Sequence, residues 1–120
     1  MTHHHDPAVL ELEPLEVEAG LQAGTVTLLD IRSQALFERS GERAVGDRRF
    51  PADPDAAELA SLDRDRLIVA YCDCPGEAAS FGFGTRLRRA GFPRVGVLRG
   101  GMAAWRSAGL PTERVVEADE

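Results

Sequence analysis

Short apolar runs separated by turn residues set the plan of this chain. Leu67-Ile68-Val69-Ala70-Tyr71 lies between the charged turn Asp63–Arg66 and Cys72. An unbroken aliphatic run of this length predicts a strand buried on both faces. Thr25–Ile31, rich in β-branched and aliphatic residues, predicts a second strand, and Arg94–Leu98 a third. Val9–Glu13 alternates apolar and acidic residues, the period of a short half-buried strand. Helices are expected between these runs. One begins at Pro14 and ends near Ala23, where Gly24 breaks it; another spans Gln34–Arg39, capped by Ser33 and stopped by Gly41. A third is expected over Ala56–Leu62 behind Asp55. A fourth spans Ala78–Ala90, weakened by Gly82 and Gly84, and a fifth Ala103–Ala108, ended by Gly109 with Pro111 beyond. Glu42–Arg49 carries no legible period, and Thr112–Glu120 reads as a loose acidic tail.

Strands alternating with helices predict an α/β domain whose mainly parallel sheet is covered on both faces. Sites in such folds lie beyond the carboxyl ends of the strands. Asp30, Cys72 and Gly100-Gly101 all fall at or just past predicted strand ends, so one site lined by these loops is expected.

Composition narrows the chemistry. The 120 residues suffice for one domain, and a 43% hydrophobic content allows a real core. A net charge of -6, with arginines scattered among acids, argues against a nucleic-acid partner. No apolar run reaches the roughly 20 residues that span a bilayer, and no signal-peptide core opens the chain. The two cysteines, Cys72 and Cys74, are too close to staple the fold, which fits reduced thiols and a cytoplasmic location. They are also too few for a structural zinc. The only histidines, His3, His4 and His5, lie in an N-terminal stretch (residues 1–8) expected to be disordered, so a Cys–His catalytic pair is not expected.

That leaves Cys72 as the centre of interest. It closes a buried strand and opens the loop Asp73-Cys74-Pro75-Gly76-Glu77, ahead of a helix starting at Ala78. Amides at a helix start carry partial positive charge and stabilise a thiolate, the nucleophilic form of cysteine. A thiol turned instead into the apolar interior, away from such amides, would leave the architecture without the chemistry.

Three motifs in order resemble the rhodanese-like domain, a sulfurtransferase family. Leu28-Leu29-Asp30-Ile31-Arg32 is similar to its D-x-R strand, and Ile68–Cys72 to the strand leading into its nucleophile. Gly91-Phe92, Val95, Leu98, Gly100-Gly101 and Ala104-Trp105 are similar to its closing G-F-x-x-V-x-x-L-x-G-G-x-x-A-W signature. The resemblance implies a single domain over residues 9–112, followed by a tail at 113–120. Its fold would be a five-stranded, mainly parallel sheet flanked by helices on both faces. It further implies a cysteine that takes a sulfane sulfur from a donor as a persulfide and passes it to a thiol or cyanide. The partners implied are a small sulfur donor and a thiol acceptor, or a protein persulfide carrier; no cofactor or metal is called for, nor a membrane.

The loop departs from the family's C-x-x-G-x-R. Here the loop reads Cys72-Asp73-Cys74-Pro75-Gly76-Glu77-Ala78-Ala79, two extra residues before Gly91-Phe92 lengthen either it or the helix that follows, and Glu77 stands where arginine is common. This C-x-C-P-x-E pattern is similar to a bacterial variant of the family. Strand registration points to Cys72 as the sulfur carrier; counting back from Gly91 points to Cys74, which could also act as a resolving thiol. The loop Asp73–Ala79 would bind substrate. Glu77 could cap the helix or face the pocket, where it and Asp73 would disfavour a thiolate and repel thiosulfate; Ser80 is a further candidate cap. Asp30 and Arg32 are expected to be architectural, Trp105 to be core, and Gly100-Gly101 to let the backbone approach the Cys72 loop. A non-catalytic binding or redox-sensing module is the alternative. A related phosphatase or arsenate reductase would need arginine where Ala78 stands.

Overall fold

The computed structural model describes residues 7–73 and 77–115. Two strands stand on each side of a central one: β1 (Val9–Leu12), β6 (Val95–Leu98), β5 (Leu67–Tyr71), β2 (Val26–Asp30) and β4 (Asp47–Arg49), in that spatial order. Every pairing among them is parallel. Four helices lie between them, α1 (Pro14–Ala23), α2 (Gln34–Ser40), α3 (Ala56–Ala60) and α4 (Ala78–Arg89), and α5 (Gly101–Ser107) follows β6. Two further strands, β3 (Glu42–Ala44) and β7 (Thr112–Arg114), form a separate antiparallel pair.

The period-2 alternation of β5 divides the core. Ile68, Ala70 and Cys72 face one side, with Leu29, Ile31, Phe50, Phe83 and Leu87. Val69 and Tyr71 face the other, with Val17 of α1 and Met102 and Trp105 of α5. Helices therefore cover both faces, as the parallel sheet requires. Among the described residues no helix is long and apolar enough to cross a membrane.

The local signals act as their chemistry dictates. The Ser33 hydroxyl accepts from the Leu36 amide at 3.2 Å, and Gly41 ends α2 in the left-handed region at φ 76°. Asp55 and Glu58 satisfy each other's amides in a capping box at α3. Helix α3 ends at Ala60, two residues short of the expected Leu62, and other differences are larger in consequence. Helix α5 starts at Gly101, two residues earlier than expected. Residues 42–49, without legible period, hold two short strands, β3 and β4. The supposed loose tail opens with β7, and the Val115 amide donates to the Gly41 carbonyl at 3.0 Å. The remainder of that tail, the histidines and most of the N-terminal stretch lie outside the described residues.

Candidate functional site at the end of the central strand

Strand β5 is the middle strand of the sheet, and Cys72 follows it directly. Its side chain continues the alternation of Ile68 and Ala70 onto the face covered by α4. There it joins the apolar cluster that contains Ile31, Phe50 and Phe83, and the residue is only 4% exposed. The thiol is thus embedded at the floor of the site rather than presented at its mouth. Cys74, Pro75 and Gly76, the middle of the loop whose amides are expected to cradle an anion, lie outside the described residues.

Beside this floor, Asp30 ends β2 and Arg32 follows two residues later. The two pair closely: the Arg32 amide and Nε donate to Asp30 Oδ1 at 3.0 and 2.9 Å, and Nη2 donates to Oδ2 at 2.9 Å. Both side chains are fully buried. Arg32 Nη2 also donates to the Glu42 carbonyl at 3.0 Å, and Nη1 meets Asp73 Oδ2 at 3.4 Å. Burial disfavours the Arg32 cation, but hydrogen bonding and attraction to Asp30 more than offset it, with smaller help from Asp73. The guanidinium is therefore held more firmly protonated than usual, and its donors are committed. Through these bonds Arg32 ties β2, β3 and the Cys72 loop together.

On the opposite face Tyr71 donates to Asp47 Oδ2 at 2.6 Å, while Arg43 Nε donates to Asp47 Oδ1 at 2.8 Å. Burial first, then the charges of Asp30 and Asp47, push the phenol far above its ordinary range, so it stays neutral.

The α5 side of the loop depends on close packing. Gly101 has φ 60°, and a Cβ there would collide with the Cys72 carbonyl oxygen. Gly101 thus provides the close approach expected of the glycine pair. Gly100 does not: a Cβ on it would meet Ala104 of its own helix. Trp105 is fully buried, its indole N–H donating to the Pro111 carbonyl at 2.8 Å.

Neither candidate cap behaves as expected. Glu77 precedes α4 with φ 55° and ψ 34°, a left-handed conformation unfavourable for a side-chain-bearing residue, and makes no side-chain capping bond. Ser80 lies inside the helix instead of ahead of it. It is fully buried on the face shared with Phe83, Gly84 and Leu87, and its Oγ has no hydrogen-bond partner among the described residues. Ala78 and Ala79, at the helix start, are exposed. The position that would need arginine in a phosphatase, Ala78, offers no cation.

A residue the sequence did not single out completes the surroundings. Arg49, at the end of β4, donates through Nη1 to the Arg32 carbonyl at 2.8 Å and through Nη2 to Gln34 Oε1 at 3.2 Å. Its guanidinium lies 4.2 Å from the Phe37 ring centroid, and Nη1 is 3.4 Å from Asp30 Oδ1. It borders a cavity of about 570 Å³ between the start of α2 and the segment after β4.

A parallel α/β domain with a cysteine at the end of its central strand, an Asp–Arg pair on the next strand and a glycine pressed on the cysteine loop defines the class. The family model for the rhodanese-like domain matches residues 13–108, and the chain belongs to that family. Solved structures agree. A rhodanese-like domain from Anabaena sp. is 27% identical over 92% of this chain and 83% of that chain, with a TM-score of 0.71. A Rhodopseudomonas palustris protein described as a possible tyrosine phosphatase is 25% identical over 88% of this chain and 86% of that one, at a TM-score of 0.70. A Bacillus halodurans protein, at 18% identity and a TM-score of 0.75 over 88% and 77% of the two chains, shares the fold. Among curated proteins none matches this chain.

Proposed function

We propose that this protein is a sulfurtransferase that carries sulfur as a persulfide on Cys72, with Cys74 as the second candidate or as a resolving thiol. The observation that carries the reading is the position of Cys72. It stands at the end of the central strand, braced by Gly101 and tied through Asp73 to the Asp30–Arg32 pair. In the first step the cysteine thiolate attacks the donor's outer sulfur. A Cys–S–S bond forms, the donor's own bond to that sulfur breaks, and the electron pair leaves with the departing group (sulfite, for thiosulfate). In the second step an acceptor thiolate attacks the outer persulfide sulfur, and the electron pair returns to the cysteine.

The local charge favours donors other than thiosulfate. Asp73 and Glu77 flank the loop, and no arginine stands at Ala78 or Ala79. A dianion approaching two carboxylates is repelled. Persulfides borne by thiols or proteins carry less charge at the reacting sulfur, so a thiol-borne or protein-borne donor is the expected substrate. Cytoplasmic residence, where such thiols stay reduced, belongs to the same proposal.

The burial of Cys72 favours a second reading, a non-catalytic module that binds a partner or senses redox state. Intact-mass measurement separates the two. After incubation with polysulfide, 3-mercaptopyruvate or thiosulfate, the wild type should gain one sulfur atom. Cys72→Ser should abolish the gain if Cys72 is the carrier, and Cys74→Ser should abolish it if Cys74 is. A wild type that gains no sulfur from any donor overturns the enzymatic reading and leaves the module.

A further inference from the structure

The chain is acidic overall, at -6, yet the cavity of about 570 Å³ beside the cysteine floor has a cationic lining. Arg32 and Arg49 border it, together with Gln34, Phe50 and Pro51, and among the described residues no carboxylate does. Two of its walls, Ile31 and Phe50, belong to the same apolar cluster as Cys72, and the Ile31 amide donates to the carbonyl of Tyr71, one residue before that cysteine. Two walls of the cavity are thus shared with the apolar cluster that holds Cys72, on the sheet face opposite α5.

The two guanidiniums differ in what they can still bind. Arg32 is committed to Asp30, Asp73 and the Glu42 carbonyl. Arg49 is held at one edge by the Arg32 carbonyl, Asp30 and Gln34, and from one face by Phe37. Its Nε–H and second Nη2–H have no partner among the described residues, and its side chain is 28% exposed. Asp30 is shared between the two cations and Asp73 adds a second carboxylate on Arg32, so what Arg49 offers a ligand is its open donor edge. A pre-positioned guanidinium edge with two parallel donors matches a carboxylate. Cavities of roughly 300–1,000 Å³ accept molecules far larger than thiosulfate.

We propose that this cavity is the subsite for the carboxylate end of a peptide-sized thiol acceptor, with Arg49 as the residue that recognises it. The proposal rests on the sulfurtransferase reading for its reaction, but the binding it asserts is separable. Arg49 compensates, from the β4 wall, for the cation that the Cys72 loop lacks.

The test has two arms. In the first, protein loaded with sulfur by polysulfide is mixed with glutathione, which bears carboxylates, or with 2-mercaptoethanol, which does not; rates are compared per thiolate. Arg49→Gln should slow transfer to glutathione about tenfold, the loss of a charge-assisted pair, and leave 2-mercaptoethanol within about twofold. Equal effects on both acceptors, or none, overturn the proposal. Because Arg49 also braces Asp30 and Gln34, Ala52→Asp is the second variant: it sets a carboxylate on the exposed cavity rim without touching those bonds and should give the same selective loss. In the second arm, unreactive S-methylglutathione is titrated against the amide resonances of the unloaded protein. Shifts confined to Ile31–Gln34 and Phe50–Ala52, lost in Arg49→Gln, support the subsite even if no sulfur is ever loaded. Absence of shifts at millimolar ligand overturns it even if sulfur transfer proceeds.

Discussion

Asp30 and Arg32 show how far one buried pair can organise the surroundings of Cys72. Three hydrogen bonds join them in full burial, so neither charge is left uncompensated. Removing one partner of such a pair strands the other in the interior, at a cost of about 3–5 kcal/mol. Arg32→Lys keeps the charge but loses the fork that spans both Asp30 oxygens and reaches the Glu42 carbonyl; it should lower unfolding stability by at least about 2 kcal/mol in urea. Stability within about 0.5 kcal/mol of wild type would show that the charge alone suffices. Glu77 offers an independent check. Its left-handed backbone costs on the order of 1 kcal/mol, which Glu77→Gly should recover. Glu77→Arg should raise thiosulfate turnover if repulsion limits it, and an unchanged rate would dismiss the charge argument. The Asp30–Arg32 pair was legible in the sequence because its members are neighbours on one strand end. Arg49 was not, because its partners lie 15 and 17 residues away and only the β2–β4 pairing brings them together.

The elements were legible wherever burial imposed a period. Strands β2, β5 and β6 are fully or nearly buried and read as aliphatic runs; α2 and α3 carried their caps in the sequence. Strands β3, β4 and β7 are three residues each and largely polar. Their identity comes from a partner's backbone, and for β3 and β7 that partner is some 70 residues distant, so no local signal could reveal them. The start of α5 was misplaced because Gly100-Gly101 looks like a break. Here glycine is required by the neighbouring loop instead. Gly101→Ala should measure that requirement. Gly109, at φ 75° with open space around it, supplies the control, since its alanine variant suffers only the backbone penalty of about 1 kcal/mol. Gly101→Ala adds a collision with the Cys72 carbonyl and should cost clearly more, with slower sulfur loading. Equal losses for the two variants in thermal unfolding would mean that the loop simply moves aside.

At the scale of the whole molecule, the buried polar layer between the sheet and β3 makes stability depend on pH in an unusual sense. Asp47 is held on edge strand β4, its side chain only 1% exposed, between Tyr71 and Arg43. Desolvation by burial raises its pKa above the ordinary aspartate value of 3.8, and the bonds from Tyr71 and Arg43 only partly counter this. A carboxyl whose folded-state pKa exceeds its unfolded one binds more protons in the native state across the interval between the two. The pH derivative of unfolding free energy follows the unfolded-minus-native proton count, which is negative there. Asp47 therefore favours folding most below the ordinary aspartate range; its contribution falls as pH rises through that interval and is constant above the folded value. The usual paired carboxylate behaves in the opposite sense. Asp47→Asn removes the titration while keeping an oxygen to accept from Tyr71. The stability of this variant relative to wild type should accordingly rise with pH from just below 4 upward and then level off, whatever its absolute offset from the lost Arg43 pair. Urea unfolding of both proteins at a series of pH values reads the difference directly. A difference that stays flat, or falls, over that interval would mean that Arg43 and Tyr71 outweigh desolvation and that Asp47 stabilises the fold as an ordinary ion pair does.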